Sequence, residues 1–279
     1  MKKVIAKILP LAYGQYFNLN SLFFPKKTAH RAFNLLCTIR KGRVQPQQAD
    51  YLEKSKNVVE QVANHQLQTY HWPGNGETVL LVHGWESNTF RWRNLIKKLQ
   101  EANFNIIAFD APSHGHSSGK LLYVPLYEEA VHYMVKKYNP KYLVGHSVGG
   151  MTLMYNEYKN PNPAVEKIVT IGSPSEFHEI MEHSQNILRF SNRFMGIIDN
   201  YIQDRFGFKI HDFSTSQFAK SNTKKGLLFH DCLDLVAPYH ASEQVHANWK
   251  GSKLVTTQGL GHSMHQEEVN DEIINFLLA

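Results

Sequence analysis

Six short apolar runs, bounded by turn-forming residues and mostly separated by stretches of helical periodicity, constrain this chain more than any other feature. They are Thr78–Val82, Asn105–Phe109, Tyr142–Val144, Ile168–Ile171, Leu227–Phe229 and Leu254–Thr256. Continuous apolar runs of this length suit strands that are buried on both faces. Between them, Trp92–Leu99, Leu126–Lys137 and Met151–Tyr158 repeat their apolar residues at helical intervals, and Glu268–Leu278 closes the chain in the same way. Strands alternating with helices build βαβ units, and so a parallel sheet covered on both faces. Gln66–Trp72 alternates instead, as a half-buried edge strand does, and Pro73–Gly76 reads as a turn. The pattern predicts an α/β chain with a mostly parallel, doubly wound sheet of about seven or eight strands.

One interval breaks the rhythm. Within residues 175–225, Phe194, Ile197, Ile198, Tyr201 and Ile202 keep helical spacing up to Gly207. This predicts a helical cap, or lid, inserted after the strand near 168–172. The core then comprises residues 64–174 and 226–279, and residues 1–63 form a mainly helical, basic extension. Residues 1–60 hold 11 Lys/Arg and 3 Asp/Glu, whereas the remainder holds 19 and 21, so the formal charge of +6 comes from the front of the chain. A basic front that carries Phe17, Phe23 and Phe24 suits peripheral contact with an anionic membrane surface; the plainer reading is a solvated helical extension wrapping the core. No nucleic-acid-binding module accompanies the basic residues, so nucleic acid is not an expected partner. No apolar stretch reaches the length of a transmembrane helix. The opening residues resemble a signal peptide only weakly, because Lys7 interrupts the apolar run and no small-x-small site follows, so a cytoplasmic location is expected. Cys37 and Cys232 lie far apart and read as buried free thiols.

Open parallel sheets place their chemistry beyond the carboxyl ends of the strands. After the third run comes Gly145-His146-Ser147-Val148-Gly149-Gly150, a Gly-x-Ser-x-Gly sequence between a strand and a helix. The serine of such an elbow sits on a strained turn that needs small neighbours, and the following helix points its N-terminus at the site. Gly115-His116-Ser117-Ser118-Gly119 fits the same spacing, but it lies past Pro112 with no apolar helix after it, so Ser117 reads as a loop or capping residue. After the fifth run, Asp231 and Asp234 compete to orient a base; after the sixth, His262 and His265 compete to be that base. A serine hydroxyl needs such a base, and the base needs a partner that fixes its tautomer. Two backbone donors are expected to face the developing oxyanion, the N–H of Val148 and that of Trp85, with Gly84 letting the backbone come close.

These segments resemble the α/β-hydrolase superfamily from about Tyr70 to the C-terminus, in its serine esterase and lipase-like branch. The resemblance rests on His83-Gly84-Trp85, Asp110–Ser117, the elbow, Asp234-Leu235-Val236-Ala237-Pro238 and Gly261-His262. It implies a triad in the order Ser147, Asp234, His262, choosing Asp234 over Asp231 by its distance from Pro238 and His262 over His265 by the Gly-x-Gly-His pattern. The family usually has glycine where Ser113 stands. The implied activity is hydrolysis of carboxylic esters or thioesters of small to medium apolar molecules through an acyl-serine. C–C or amide hydrolysis, acyl transfer and a non-catalytic binding protein on the same fold are the alternatives. A serine nucleophile argues against the epoxide-hydrolase and dehalogenase branches.

There are 16 histidines, but no H-E-x-x-H or C-x-x-C spacing, so neither a metal nor a cofactor is expected. Asp110 reads as a tie to nearby backbone N–H groups, and Glu86, Arg91 and Arg93 as a solvated helix start. Trp85, His146, Phe194 and Ile198 are the expected lining of the substrate pocket.

Overall fold

The structure, a computed structural model, describes residues 2–279, with side chains described from residue 8 onward. The chain begins with helices α1 (Lys2–Phe23), α2 (Pro25–Cys37) and α3 (Pro46–Leu52), then strands β1 (Lys56–Val62), β2 (His65–Trp72) and β3 (Thr78–Val82). Helix α4 (Arg93–Glu101) leads to β4 (Asn105–Phe109), α5 (Val124–Tyr138) to β5 (Tyr142–His146), and α6 (Val148–Lys159) to β6 (Lys167–Ile171). Helices α7 (Phe177–Leu188), α8 (Asn192–Phe206) and the short α9 (Thr215–Phe218) precede β7 (Lys225–Asp231). The chain closes with α10 (His240–Asn248), β8 (Ser252–Thr257) and α11 (Glu267–Leu278).

All eight strands join one sheet in the order β1-β2-β4-β3-β5-β6-β7-β8. The β1–β2 and β2–β4 pairs are antiparallel and the other five are parallel. Alternation along the strands divides the core between the two faces. On β3, Val79 and Leu81 meet Leu95, Ile96 and Leu99 of α4 and Ile273 and Leu277 of α11. Leu80 and Val82 meet Tyr127, Val131 and Met134 of α5, Leu153 of α6 and Trp249. Each run legible in the sequence became a strand because it feeds both faces at once.

Strand β1 was not expected. Its sequence Lys56-Asn57-Val58-Val59-Glu60-Gln61-Val62 has no apolar alternation, and only Glu60 and Val62 turn inward. The Glu60 carboxylate is buried and accepts hydrogen bonds from Lys137 Nζ (2.6 Å) and from the hydroxyls of Tyr133 (2.9 Å) and Tyr138 (2.8 Å). A polar, charge-anchored edge protects a sheet from further pairing, and β1 takes that position, so β2 is interior.

The chain divides into two compact units: residues up to 38 together with 176–214, and residues 39–175 together with 215–279. The boundaries expected at 63 and 225 fall instead at 38 and 214. Helix α3 and β1 belong with the sheet, whereas α1 and α2 pack with α7 and α8. The reason is apolar pairing between distant segments. Phe17 stacks on Phe194, with ring centroids 5.9 Å apart, and meets Phe190 edge-on. Phe33 packs against Tyr201 and Phe206. Periodicity within either segment shows a buried face but not its partner. The thiols also differ from expectation: Cys37 is half-buried and Cys232, on the loop leaving β7, is exposed. Burial pushes the Cys37 thiol up to about 12 despite the opposing charge of Arg205.

Phe194 is fully buried at the centre of the first unit. Phe194→Ala should therefore cost about 3–5 kcal/mol and lower the melting temperature by calorimetry, with Phe194→Leu recovering much of the loss. An unchanged melt would contradict this packing.

Candidate active site

Strand β5 ends at His146 and α6 begins at Val148, so Ser147 makes the whole turn between them. Its backbone lies at φ +53°, ψ −126°, a conformation strained for any residue with a side chain. The turn is held by the Ser147 N–H, which donates to the Ile171 carbonyl at 2.8 Å. It also needs close approach: a Cβ on Gly149 would stand 2.3 Å from the Val82 oxygen and 2.5 Å from that of His83. Gly145 packs on Gly150, and a Cβ on Gly84 would stand 2.9 Å from Ser147 Cβ. The first N–H groups of α6 follow directly, where a helix favours negative charge.

His262 Nε2 lies 3.0 Å from Ser147 Oγ, and its Nδ1 lies 2.7 Å from Asp234 Oδ2. The Asp234 side chain is fully buried, and its Oδ1 accepts from the N–H groups of Val236 (2.7 Å) and Ala237 (3.0 Å). A carboxylate is acceptor-only, so Nδ1 of His262 carries the proton and Nε2 is free to accept from the serine. Asp231, the competing carboxylate, turns elsewhere. Its oxygens accept from the Thr257 hydroxyl (2.9 Å) and from the N–H groups of Leu260 (2.7 Å), Leu233 (3.0 Å) and Gly259 (3.2 Å). Burial raises the Asp231 carboxyl, but these bonds outweigh it and hold the group below the usual carboxylate range. Asp231 thus ties the end of β7 to the loop that carries His262.

That loop has two further anchors. His146 Nε2–H donates to the His262 carbonyl (2.9 Å), and Arg91 Nη2 donates to the Ser263 carbonyl (2.7 Å). Burial, then the charge of Arg91, keeps the His146 imidazole neutral. Neither residue fits its expected place. His146 lies behind the base rather than in a pocket, and Arg91 grips a loop instead of starting a solvated helix. No sequence signal announces the target of Arg91.

Two histidines join the loop after β3 to the loop after β4. His83 Nδ1–H donates to the Gly84 carbonyl (2.8 Å) while Nε2 accepts from Ala111 N–H (2.9 Å). His114 Nδ1–H donates to the Pro112 carbonyl (3.0 Å) while Nε2 accepts from Glu86 N–H (3.0 Å). Burial pulls their imidazoles down to about 4 and about 3, so both remain neutral connectors. Asp110 accepts from Thr89 N–H, His116 N–H and the Tyr70 hydroxyl. Ser117 is buried, donates to the Asp110 carbonyl (2.6 Å) and accepts from Gln68 N–H (2.9 Å). Ser113, where glycine is usual, adopts φ +73° and secures itself through Oγ–H to the Leu121 carbonyl. Glu86 accepts from the N–H groups of Arg40 and Lys41.

Of the expected pocket residues, Trp85 is partly exposed beside Gly84, whereas Phe194 and Ile198 are consumed in the apolar core of the first unit. They were misplaced because helical spacing marks a buried face without saying what buries it. Among the described residues, no cluster of His, Cys, Asp or Glu could hold a metal ion. No helix there is long and apolar enough to cross a membrane.

A single parallel-sheet unit with a serine elbow at the carboxyl end of its central strand, facing a histidine and a buried aspartate, defines a class. The sequence profile of the α/β-hydrolase fold family matches residues 77–230, more than half of the chain, and this protein belongs to that family. It is similar to the pimeloyl-[acyl-carrier protein] methyl ester esterase of Vibrio vulnificus, at 31% identity over 111 residues. That match covers 38% of this chain and 42% of the esterase, so it spans less than half of the relative's length. The uncharacterized hydrolase YugF of Bacillus subtilis is 24% identical over 264 residues, covering 77% of this chain and 94% of its own. Among solved structures, ferulic-acid-bound Est1E from Butyrivibrio proteoclasticus superposes with a TM-score of 0.66 at 19% identity, over 79% of this chain and 98% of that one.

Asp231→Asn sets an amide N–H against backbone donors and should cost about 1–3 kcal/mol at neutral pH. The wild-type carboxyl sits below its unfolded value, so its stabilisation is complete above about pH 4 and is lost as pH falls through the lower folded value. Thermal melts across pH should show the gap between wild type and variant closing in acid. A gap independent of pH would contradict the anchoring role.

Proposed function

We propose that this protein is a serine hydrolase that cleaves carboxylic ester or thioester bonds of small to medium apolar substrates through an acyl-serine intermediate. The observation that carries this reading is the unbroken line from Asp234 through His262 to Ser147, in which the imidazole tautomer is fixed by the buried carboxylate.

In this mechanism His262 Nε2 takes the proton of Ser147 as Oγ bonds to the substrate carbonyl carbon. The carbonyl π electrons move onto oxygen, which the N–H groups of Val148 and Trp85 receive. Collapse of the adduct breaks the bond to the leaving alcohol or thiol, which takes the proton from His262. Water then attacks the acyl-serine, giving its proton to Nε2; release of the acid returns that proton to Ser147 Oγ. Asp234 keeps its charge throughout and stabilises the imidazolium.

An apolar substrate class is supported by Trp85, Leu233, Leu235 and Val236. They present exposed apolar surface on the loops leaving β3 and β7, at the carboxyl end of the parallel strands, where Ser147 follows β5. The relation to a methyl ester esterase supports ester cleavage.

A fluorophosphonate probe should label Ser147 in peptide mapping, and Ser147→Ala should lose several orders of magnitude in p-nitrophenyl ester hydrolysis. Ser117→Ala should stay within about tenfold of wild type. Asp234→Asn should lower kcat by about 10³–10⁴, because the amide favours the wrong tautomer, while Asp231→Asn acts mainly on stability. Absence of labelling would favour a non-catalytic binding role, and a larger kcat loss at Asp231 would reverse the two carboxylates.

A further inference from the structure

We infer that helix α1 and its connection to α2 form a surface that docks on an anionic lipid bilayer. The first observation is that α1 is inverted. Its packed side carries the small and polar residues. A Cβ on Gly14 would stand 1.5 Å from the Leu188 carbonyl oxygen, Ser21 is fully buried, and Asn18 bridges the Arg189 carbonyl (2.9 Å) and the Ser191 N–H (2.8 Å). Among the described side chains of α1, only Phe17 supplies a large apolar group to that side. The outer side carries Ile8, Leu11, Leu19 and Leu22, spaced as one helical stripe, and all are exposed. A helix that needed only to cover its own unit would turn these residues inward.

The second observation is the tip. The six consecutive residues Leu22-Phe23-Phe24-Pro25-Lys26-Lys27 are all exposed. Phe23 is 76% and Phe24 62% accessible. Pro25 opens α2 and fixes this connection as a protruding corner. Two phenylalanines followed by two lysines match the boundary between acyl chains and anionic headgroups, where rings bury and ammonium groups stay at the phosphate level. The charge is continuous with the rest of the segment: the first 49 residues hold nine Lys/Arg and no Asp/Glu. This one-signed charge also decides between occupants. Symmetric pairing of two copies through the same face would bring together two surfaces that both carry only positive charge, whereas a lipid surface of opposite charge complements them.

The test is co-sedimentation of the full chain with vesicles, either pure phosphatidylcholine or equal parts phosphatidylcholine and phosphatidylglycerol. The protein should partition onto the anionic vesicles about tenfold more strongly than onto the neutral ones. Phe23→Ser with Phe24→Ser, and separately Lys26→Glu with Lys27→Glu, should each weaken that partitioning by about tenfold or more. Both pairs are exposed and lie outside the candidate active site, so the melting temperature should not move; this readout does not depend on the hydrolase reading. No binding, equal binding to both vesicle types, or undiminished binding by the variants would overturn the inference. Concentration-dependent dimerisation abolished by the phenylalanine pair would also overturn it, and would assign the face to a second copy.

Discussion

The hydrogen bond between His262 and Asp234 joins the loops that leave the paired strands β7 and β8, beyond their last register pair Asp231–Thr257, and the geometry at Ser147 depends on it. Asp234 has both oxygens occupied, one by two backbone N–H groups and the other by the imidazole. The loop bearing His262 is held on three sides, by Asp231 below, His146 at one carbonyl and Arg91 at the next. Asp231 ends β7, His146 ends β5, and Arg91 lies on the turn between β3 and α4. The imidazole is therefore oriented by the sheet as a whole, which brings β3, β5 and β7 to a common edge. Preorganisation of this kind is what a serine nucleophile requires, because an alcohol acquires reactivity only when its base is already in place.

The same edge explains the strain at residue 147. A non-glycine residue at positive φ costs energy wherever it occurs, and here the surroundings over-determine it. The N–H of Ser147 is fixed by β6, and the glycines on either side let β3 and α6 approach within contact distance. Neutral His83 and His114 complete the frame by stitching the two neighbouring loops with donor and acceptor roles already assigned.

Much of this was legible in the sequence because it rests on local signals. Buried parallel strands need continuous apolar runs, so β3 to β7 could be read directly, and the partly exposed last strand β8 was legible through Leu254 and Val255, one toward each face. The elbow needs glycine at fixed offsets from its serine, and the strand before it and helix after it separated Ser147 from the look-alike Ser117. What could not be read is whatever depends on a partner distant in sequence. Strand β1 is an edge held by a buried glutamate, with no period-two pattern. Phe194 and Ile198 announce a buried face, but the partner is Phe17, more than half the chain away. His146 and Arg91 were misassigned for the same reason: their targets are backbone carbonyls, which every residue possesses and no sequence pattern marks.

The central claim is that Ser147 carries the acyl group during turnover. The most direct measurement is rapid acid quench of the wild-type protein during reaction with p-nitrophenyl acetate, followed by mass spectrometry of the proteolysed chain. The account predicts an acetyl increment confined to the peptide that contains Ser147, appearing with the first equivalent of p-nitrophenol. Release of p-nitrophenol with no acylated peptide, or acylation at Ser117 or a histidine instead, would contradict it.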